Sequence, residues 1–255
     1  MPQLNQTAPL RPLRPLHPLR PLRTFQRIAH RGASLVKREN TLESLTYASE
    51  LGADAVECDV RPTGDGQYVI FHDPDLRRIA GVDGQIAALS YTEIAETVEK
   101  HAGYRPLRFD ELCESYTGRA PILLHLKTGA EPAFLEQLRK APFAYICGVE
   151  SAADVRAYRE LVSPERILGF LPKAEDAEEF IRAGAGIIRL WEQWLGRITP
   201  SEVRALVPEA SVAVWIMAWK DGSMNGSAEE IAFCRKLGAD GILMNDIELA
   251  MRCGV

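Results

Sequence analysis

Long apolar runs are missing from this sequence. No uninterrupted stretch approaches the roughly 20 residues needed to span a bilayer, which excludes a membrane helix. Paired cysteines are missing too. Cys58, Cys113, Cys147, Cys234 and Cys253 are odd in number, scattered, and form no C-x-x-C pair. That speaks against a disulfide framework or a zinc cluster and for a reducing compartment, the cytoplasm. There is no excess of basic charge. The net charge is −5, and the four arginines of residues 1–24 have no acid among them, so the remainder is more acidic still. Such a body suits neither phosphate neutralisation nor nucleic-acid binding.

The 255 residues, 46% apolar and 25% charged, are ordinary for a globular protein. Residues 1–24 stand apart. Arg11-Pro12-Leu13 recurs as Arg14-Pro15-Leu16, His17-Pro18-Leu19 and Arg20-Pro21-Leu22. Proline at every third position forbids helix and favours polyproline II. The segment also lacks the continuous apolar stretch of roughly 7 to 15 residues that a signal peptide carries. The expectation is a disordered tail over 1–24 and a single catalytic barrel over 25–255.

From Phe25 onward short apolar runs alternate with helix-period segments. Strands are predicted at Gln26–Ala29, Ala55–Val60, Ile122–Lys127, Ala144–Val149, Arg166–Phe170, Gly186–Leu190, Val212–Met217 and Gly241–Met244. Between them lie patterns such as Leu42, Leu45, Ala48, Leu51, which make one apolar helix face. Eight strands with intervening helices fit a (β/α)₈ TIM barrel. A doubly wound open sheet is the alternative, weakened because neither G-x-G-x-x-G nor G-x-x-x-x-G-K-[ST] follows the first strand. Thr63-Gly64-Asp65-Gly66 is a tight-turn signal, and Gln67–Phe71 returns as a short strand, so a β-hairpin is inserted after strand two. The following insertion, Pro74–Gly118, is expected to hold one short helix, announced by the capping box Ser90-x-x-Glu93.

The second strand carries the first chemistry. In Ala55–Val60 the apolar Val56, Cys58 and Val60 fall on one face, and Glu57 and Asp59 on the other. The third strand repeats the pattern, with His125 and Lys127 opposite Leu124 and Leu126. Two buried carboxylates repel each other and are poorly solvated unless a cation lies between them, and a metal is the simplest resolution. An ion pair of these acids with Lys127 is the alternative. His30-Arg31 ends the first strand and His72-Asp73 ends the hairpin strand, which brings two histidines and an arginine to the face where barrel active sites lie. Arginine offers a planar fork for phosphate, and histidine exchanges protons near neutrality.

With these residues in place, the run from His30 to Gly81 resembles the signature of glycerophosphodiester phosphodiesterases. The matching pieces are His30-Arg31-Gly32, Glu39-Asn40-Thr41, Gly52-Ala53-Asp54 leading to Glu57-x-Asp59, Thr63-x-Asp65-Gly66, and the strand ending in His72-Asp73. The resemblance implies a TIM barrel with this hairpin, hydrolysis of glycerophosphodiesters to glycerol 3-phosphate and an alcohol, and one divalent metal ion. Carried over by position, His30 and His72 are the acid–base pair, Arg31 and Lys127 hold phosphoryl oxygens, and Glu57 and Asp59 bind the metal. Glu39 and Asn40 line the site or cap the next helix.

The sequence departs from that family in two places. The usual Glu-x-Lys of the third strand reads His125-Leu126-Lys127, so His125 becomes the expected third ligand. Beside Mg²⁺, Mn²⁺ or Ca²⁺, it admits Zn²⁺ or Co²⁺. The usual Trp-Thr-x-Asn reads Trp215-Ile216-Met217-Ala218, and Arg189 and Trp191 add a cation and an aromatic at the rim. Arg189 and Trp215 are therefore expected to touch the substrate, a small phosphodiester with a head group other than plain glycerol. The competing readings are a phospholipase D-like lyase that stops at a cyclic phosphate and a phosphodiester-binding relative without catalysis. The sequence offers no evident apolar cluster for the lipid-facing loop a lyase needs, and it leaves the oligomeric state open.

Overall fold

A computed structural model describes residues 25–220 and 222–253. The expectation for the Arg-Pro-Leu tail of residues 1–24 lies outside the described residues. The strands are β1 (Gln26–Ala29), β2 (Ala55–Pro62), β3 (Tyr68–Ile70), β4 (Ile122–Leu126), β5 (Tyr145–Val149), β6 (Ile167–Phe170), β7 (Ile187–Trp191), β8 (Ala213–Met217) and β9 (Gly241–Met244). Parallel pairing runs β1-β9-β8-β7-β6-β5-β4-β2, and β2 pairs back onto β1 through Ile28 opposite Ala55 and Ala29 opposite Val56. That last pairing closes an eight-stranded parallel barrel and removes the open-sheet alternative. The remaining strand, β3, runs antiparallel to β2 as the second arm of the predicted hairpin.

Period-two alternation explains how the barrel is filled. Val56, Cys58 and Val60 of β2, and Ile122, Leu124 and Leu126 of β4, join the large apolar layer shared with the helices. The opposite phase of the strands supplies Ile28, Ala55, Leu123, Ile146, Leu168, Phe170, Ile187, Ala213, Trp215, Met217 and Leu243, a separate cluster inside the ring. The barrel is thus a packed core and not a pore. The Gly-Ala-Asp segments close its amino-terminal end. Asp54 accepts from the Arg27 backbone N–H at 3.0 Å and from its Nε at 3.1 Å, and Asp240 accepts from the Val214 N–H at 2.7 Å. Each carboxylate ties the entering strand to its neighbour.

Outside the ring lie α1 (Leu42–Glu50), α2 (Arg77–Ala80), α3 (Tyr91–Ala102), α4 (Phe109–Ser115), α5 (Pro132–Arg139), α6 (Ala152–Arg159), α7 (Ala177–Ala183), α8 (Pro200–Leu206), α9 (Ala228–Lys236) and α10 (Ile247–Arg252). The insertion after the hairpin holds three of these and not the single helix expected. Ser90 caps α3 through the anticipated reciprocal box with Glu93, but α2 and α4 have no such signal in sequence. The insertion has its own apolar cluster. Val69 and Phe71 from the β3 arm pack with Leu76, Ile86, Tyr91, Ile94 and Val98.

Candidate active site at the barrel mouth

His30 and His72 follow β1 and β3, which pair with successive stretches of the same edge of β2. His30 is only 8% exposed, a buried group. Its Nδ1 lies 2.8 Å from Asn245 Oδ1, which leaves Nε2 free. Burial first, then the Arg31 charge, pushes its pKa down to about 3. His72 follows β3, and its backbone carbonyl accepts from Arg61 Nε at 2.7 Å. Its Nδ1 lies 2.7 Å from Asp73 Oδ1. Burial lowers its pKa as well, partly offset by the charges of Asp59 and Asp73.

Glu57 and Asp59 project inward from β2 and are 1% and 0% exposed. The loop after β1 is shaped around them. Arg31 donates its backbone N–H to Glu57 Oε2 at 2.7 Å. Asn40 donates from Nδ2 to Asp59 Oδ2 at 3.0 Å and accepts the Asp59 N–H at 3.1 Å. Both Arg31 and Asn40 have φ of 56°, and they are the two non-glycine residues of the described chain in that region. Such strain is retained where surrounding contacts over-determine it, commonly at functional sites. Gly32 completes the turn because a Cβ there would meet Ser44 Oγ at 2.3 Å. Asn40 is therefore a clamp on Asp59, and the cap of α1 is Thr41, whose side chain accepts from the Ser44 N–H.

One oxygen of each carboxylate, Glu57 Oε1 and Asp59 Oδ1, is buried without a hydrogen-bond partner. His125, inward from β4, presents Nδ1 to both at 3.9 and 3.3 Å. Burial pushes both acids upward. For Glu57 burial and the neighbouring Asp59 charge prevail, and its pKa is well above the carboxylate range. For Asp59 burial is outweighed by His125 and by the charges of His72 and Arg31, and its pKa is well below. The pair keeps one charge and sheds the other, as two carboxyls sharing a site do. The three donor atoms lie within 4.8 Å of one another, a set able to hold a metal ion.

The other ring nitrogen of His125, Nε2, is 2.8 Å from Glu150 Oε1, and Lys127 Nζ reaches the same oxygen at 2.6 Å. Lys127 thus pairs with Glu150 and not with Glu57 or Asp59, contrary to the ion-pair alternative. Phe170 of β6 stacks on the imidazole at 3.7 Å between centroids. Gly148 of β5 makes room for that ring, since a Cβ there would lie 2.4 Å from Phe170 Cε2.

A pocket of about 520 Å³ opens above these groups, lined by His30, Arg31, His72, His125, Lys127 and Glu150, and extending past Phe170 to Arg189 and Trp191. Two expected substrate contacts are not on its wall. Glu39 is engaged by Arg31 and Arg78. Trp215 points inward as its phase requires but is 1% exposed in the barrel interior, and Met217 takes the wall position above it. Glu150, Phe170 and Asn245 were not anticipated. All three occupy the inward phase at or just past the end of a strand, the same signal that singled out Glu57 and Asp59. The loop after β1 also exposes Leu35 at 48% and Val36 at 50%, an apolar pair the sequence reading did not pick out.

Comparison with known proteins agrees with this geometry. The model of the glycerophosphoryl diester phosphodiesterase family matches residues 30–141. A glycerophosphodiester phosphodiesterase of Caldanaerobacter subterraneus is 39% identical over 123 residues, 45% of this chain and 51% of the relative, so the chain spans about half the length of that relative. The glycerophosphodiester phosphodiesterase of Thermotoga maritima superposes with a TM-score of 0.72 at 21% identity, covering 90% of this chain and 98% of that one. A phosphodiesterase of Oleispira antarctica, solved with the product sn-glycerol-3-phosphate, gives 0.70 at 22% identity, covering 89% and 96%. The two solved structures share the barrel fold, and the family model and the curated relative share sequence with the part of it that carries His30, Glu57, Asp59, His72 and His125.

Proposed function

We propose that this protein hydrolyses glycerophosphodiesters to glycerol 3-phosphate and an alcohol, with one divalent metal and with His30 and His72 as the acid–base pair. The observation that carries the reading is the pair of unsatisfied buried oxygens, Glu57 Oε1 and Asp59 Oδ1, facing His125 Nδ1 beside two histidines with free Nε2 atoms. Glu57, Asp59 and His125 would hold the metal. When bound, it would let both carboxylates ionise and would supply positive charge to the phosphoryl oxygens. Glu150 would orient His125 by accepting from Nε2–H, which leaves the Nδ1 lone pair for the ligand bond. A ligand set with one imidazole suits Mn²⁺, Co²⁺ or Zn²⁺ better than Ca²⁺.

Arg31 and Lys127 bind the diester. His30, kept neutral by burial, accepts the proton of the hydroxyl next to the phosphate, and that oxygen forms its bond to phosphorus. His72, whose imidazolium Asp73 supports, gives its proton to the departing alcohol as the second P–O bond breaks. Water then opens the cyclic diester, with the histidines exchanging roles. Exposed Leu35 and Val36 favour a second reading, a lyase on lipid-like substrates that ends at the cyclic product. Product analysis by phosphorus NMR with protein loaded with each metal separates the two. Glycerol 3-phosphate is expected; accumulation of a stable cyclic phosphate supports the lyase, and no product with any metal overturns both. His30→Ala and His72→Ala are each expected to lower turnover by roughly 10²–10⁴-fold.

A further inference from the structure

Arg189 stands apart from every other cation of the pocket. It is 5% exposed, its Nη1 is buried without a hydrogen-bond partner, and among the described residues it forms no ion pair. Its guanidinium lies 4.5 Å from the Trp191 ring centroid, 5.3 Å from Phe170 and 5.7 Å from Trp194. Those faces attract a cation but leave its N–H groups without acceptors. The acid that bears on its charge is Glu150, and Glu150 is already held by Lys127 and His125. In the ring order β7 is four strands from β2 in either direction, so Arg189 faces the Glu57–Asp59 end from across the mouth. Arg31 and Lys127 are at the opposite end of the same pocket. A single diester carries one negative charge, which those two groups already answer.

We propose that Arg189 forms a second anion subsite, so that the favoured substrates are glycerophosphodiesters whose leaving alcohol itself bears a carboxylate or a phosphate. The inference rests on the phosphodiesterase reading and names its substrate class. The aromatic residues here would ordinarily suggest a quaternary ammonium head group. In this protein the ring faces are occupied by the chain's own guanidinium, and a cationic head group would meet it as a like charge. The planar fork of arginine matches carboxylate or phosphate, and Met217 and Met224 offer apolar wall to the carbon skeleton between the two charges.

The test is steady-state kinetics on glycerophosphodiesters of glycerate, glycerol phosphate, glycerol and choline, with wild type, Arg189→Lys and Arg189→Met. In wild type the glycerate or the glycerol phosphate diester is expected to exceed the glycerol diester in kcat/KM by about 10- to 100-fold, the scale of one charge-assisted contact. Whichever of the two is preferred identifies the anion. That ratio should collapse toward one in Arg189→Met, mainly through KM, and survive in part in Arg189→Lys. Calorimetry with free glycerate gives a readout without turnover: binding to wild type and none to Arg189→Met. A ratio that stays the same in Arg189→Met, or a wild-type preference for the glycerol or choline diester, overturns the subsite. If no diester is cleaved, the phosphodiesterase reading fails and the glycerate titration still decides the subsite. Melting curves show that the variants are folded. Arg189→Met should melt no lower than wild type, because it removes an unpaired buried charge.

Discussion

At the scale of single residues, two side chains test the proposed metal site. His125→Ala should weaken Mn²⁺ or Zn²⁺ binding by at least tenfold, and His125→Glu should move preference toward Ca²⁺ or Mg²⁺; titration calorimetry reads both. Unchanged affinity in His125→Ala means that the imidazole is no ligand. Asn40 separates backbone strain from side-chain clamping. Asn40→Gly keeps the positive φ without penalty but releases Asp59, so metal affinity should fall roughly 10- to 100-fold. Asn40→Ala loses the same clamp and adds a strained backbone costing about 1–2 kcal/mol, so it should also melt lower than Asn40→Gly. Equal melting temperatures for the two would remove strain from this account.

The strand is the element through which most of this site could be read. Alternation with period two gave the inward set on β2 and β4 because an antiphase charge in an apolar run has one physical explanation, a polar interior. The same alternation run one residue past Val149 reaches Glu150, and past Met244 it reaches Asn245, so their absence from the sequence reading was a matter of where the strands were ended. Trp215 marks a true limit. Its phase says inward, but height along the barrel axis follows from inter-strand register, which a single strand does not contain. The insertion was under-read for another reason: α2 has four residues and no side-chain cap, too short to show a helical period. Gly148 tests the element scale directly. Gly148→Ala forces Phe170 away from His125, which should cost about 1–3 kcal/mol in chemical denaturation and weaken metal binding as well. Full retention of both would mean that the Phe170 stack does not hold the ligand.

For the molecule as a whole, a buried neutral histidine adds to the loss of stability in acid. In the unfolded chain His30 takes up its proton near pH 6.5, whereas in the folded protein it does so only near 3. Between those values the unfolded state binds more protons, so stability rises with pH and is lost as pH falls from 6.5 toward 3. The slope from this one group is about 1.4 kcal/mol per pH unit at most. Replacing it by a group that does not titrate, as in His30→Asn, should flatten the stability profile between pH 6 and 4 in urea titrations. An unchanged slope would assign acid sensitivity to other groups.

The separate apolar cluster of the insertion has a consequence for how activity is lost. His72 and Asp73 are carried at the end of the β3 arm, which meets β2 over only three residue pairs, Val60 with Ile70, Arg61 with Val69 and Pro62 with Tyr68. The segment after β3 packs largely on itself, through Leu76, Ile86, Ile94 and Val98, while Tyr68 and Ile70 of β3 join the main core. It is thus built as a cooperative unit of its own, able to open while the eight-stranded ring stays closed. Amide hydrogen exchange should find the β3–α3 amides less protected than those of β4 and β8. Opening takes His72, the proposed acid–base partner of His30, away and leaves Glu57, Asp59 and His125 together. On the proposed function, turnover should therefore vanish before metal affinity does in rising denaturant, and the protein should pass through a metal-loaded, inactive form on its way to unfolding.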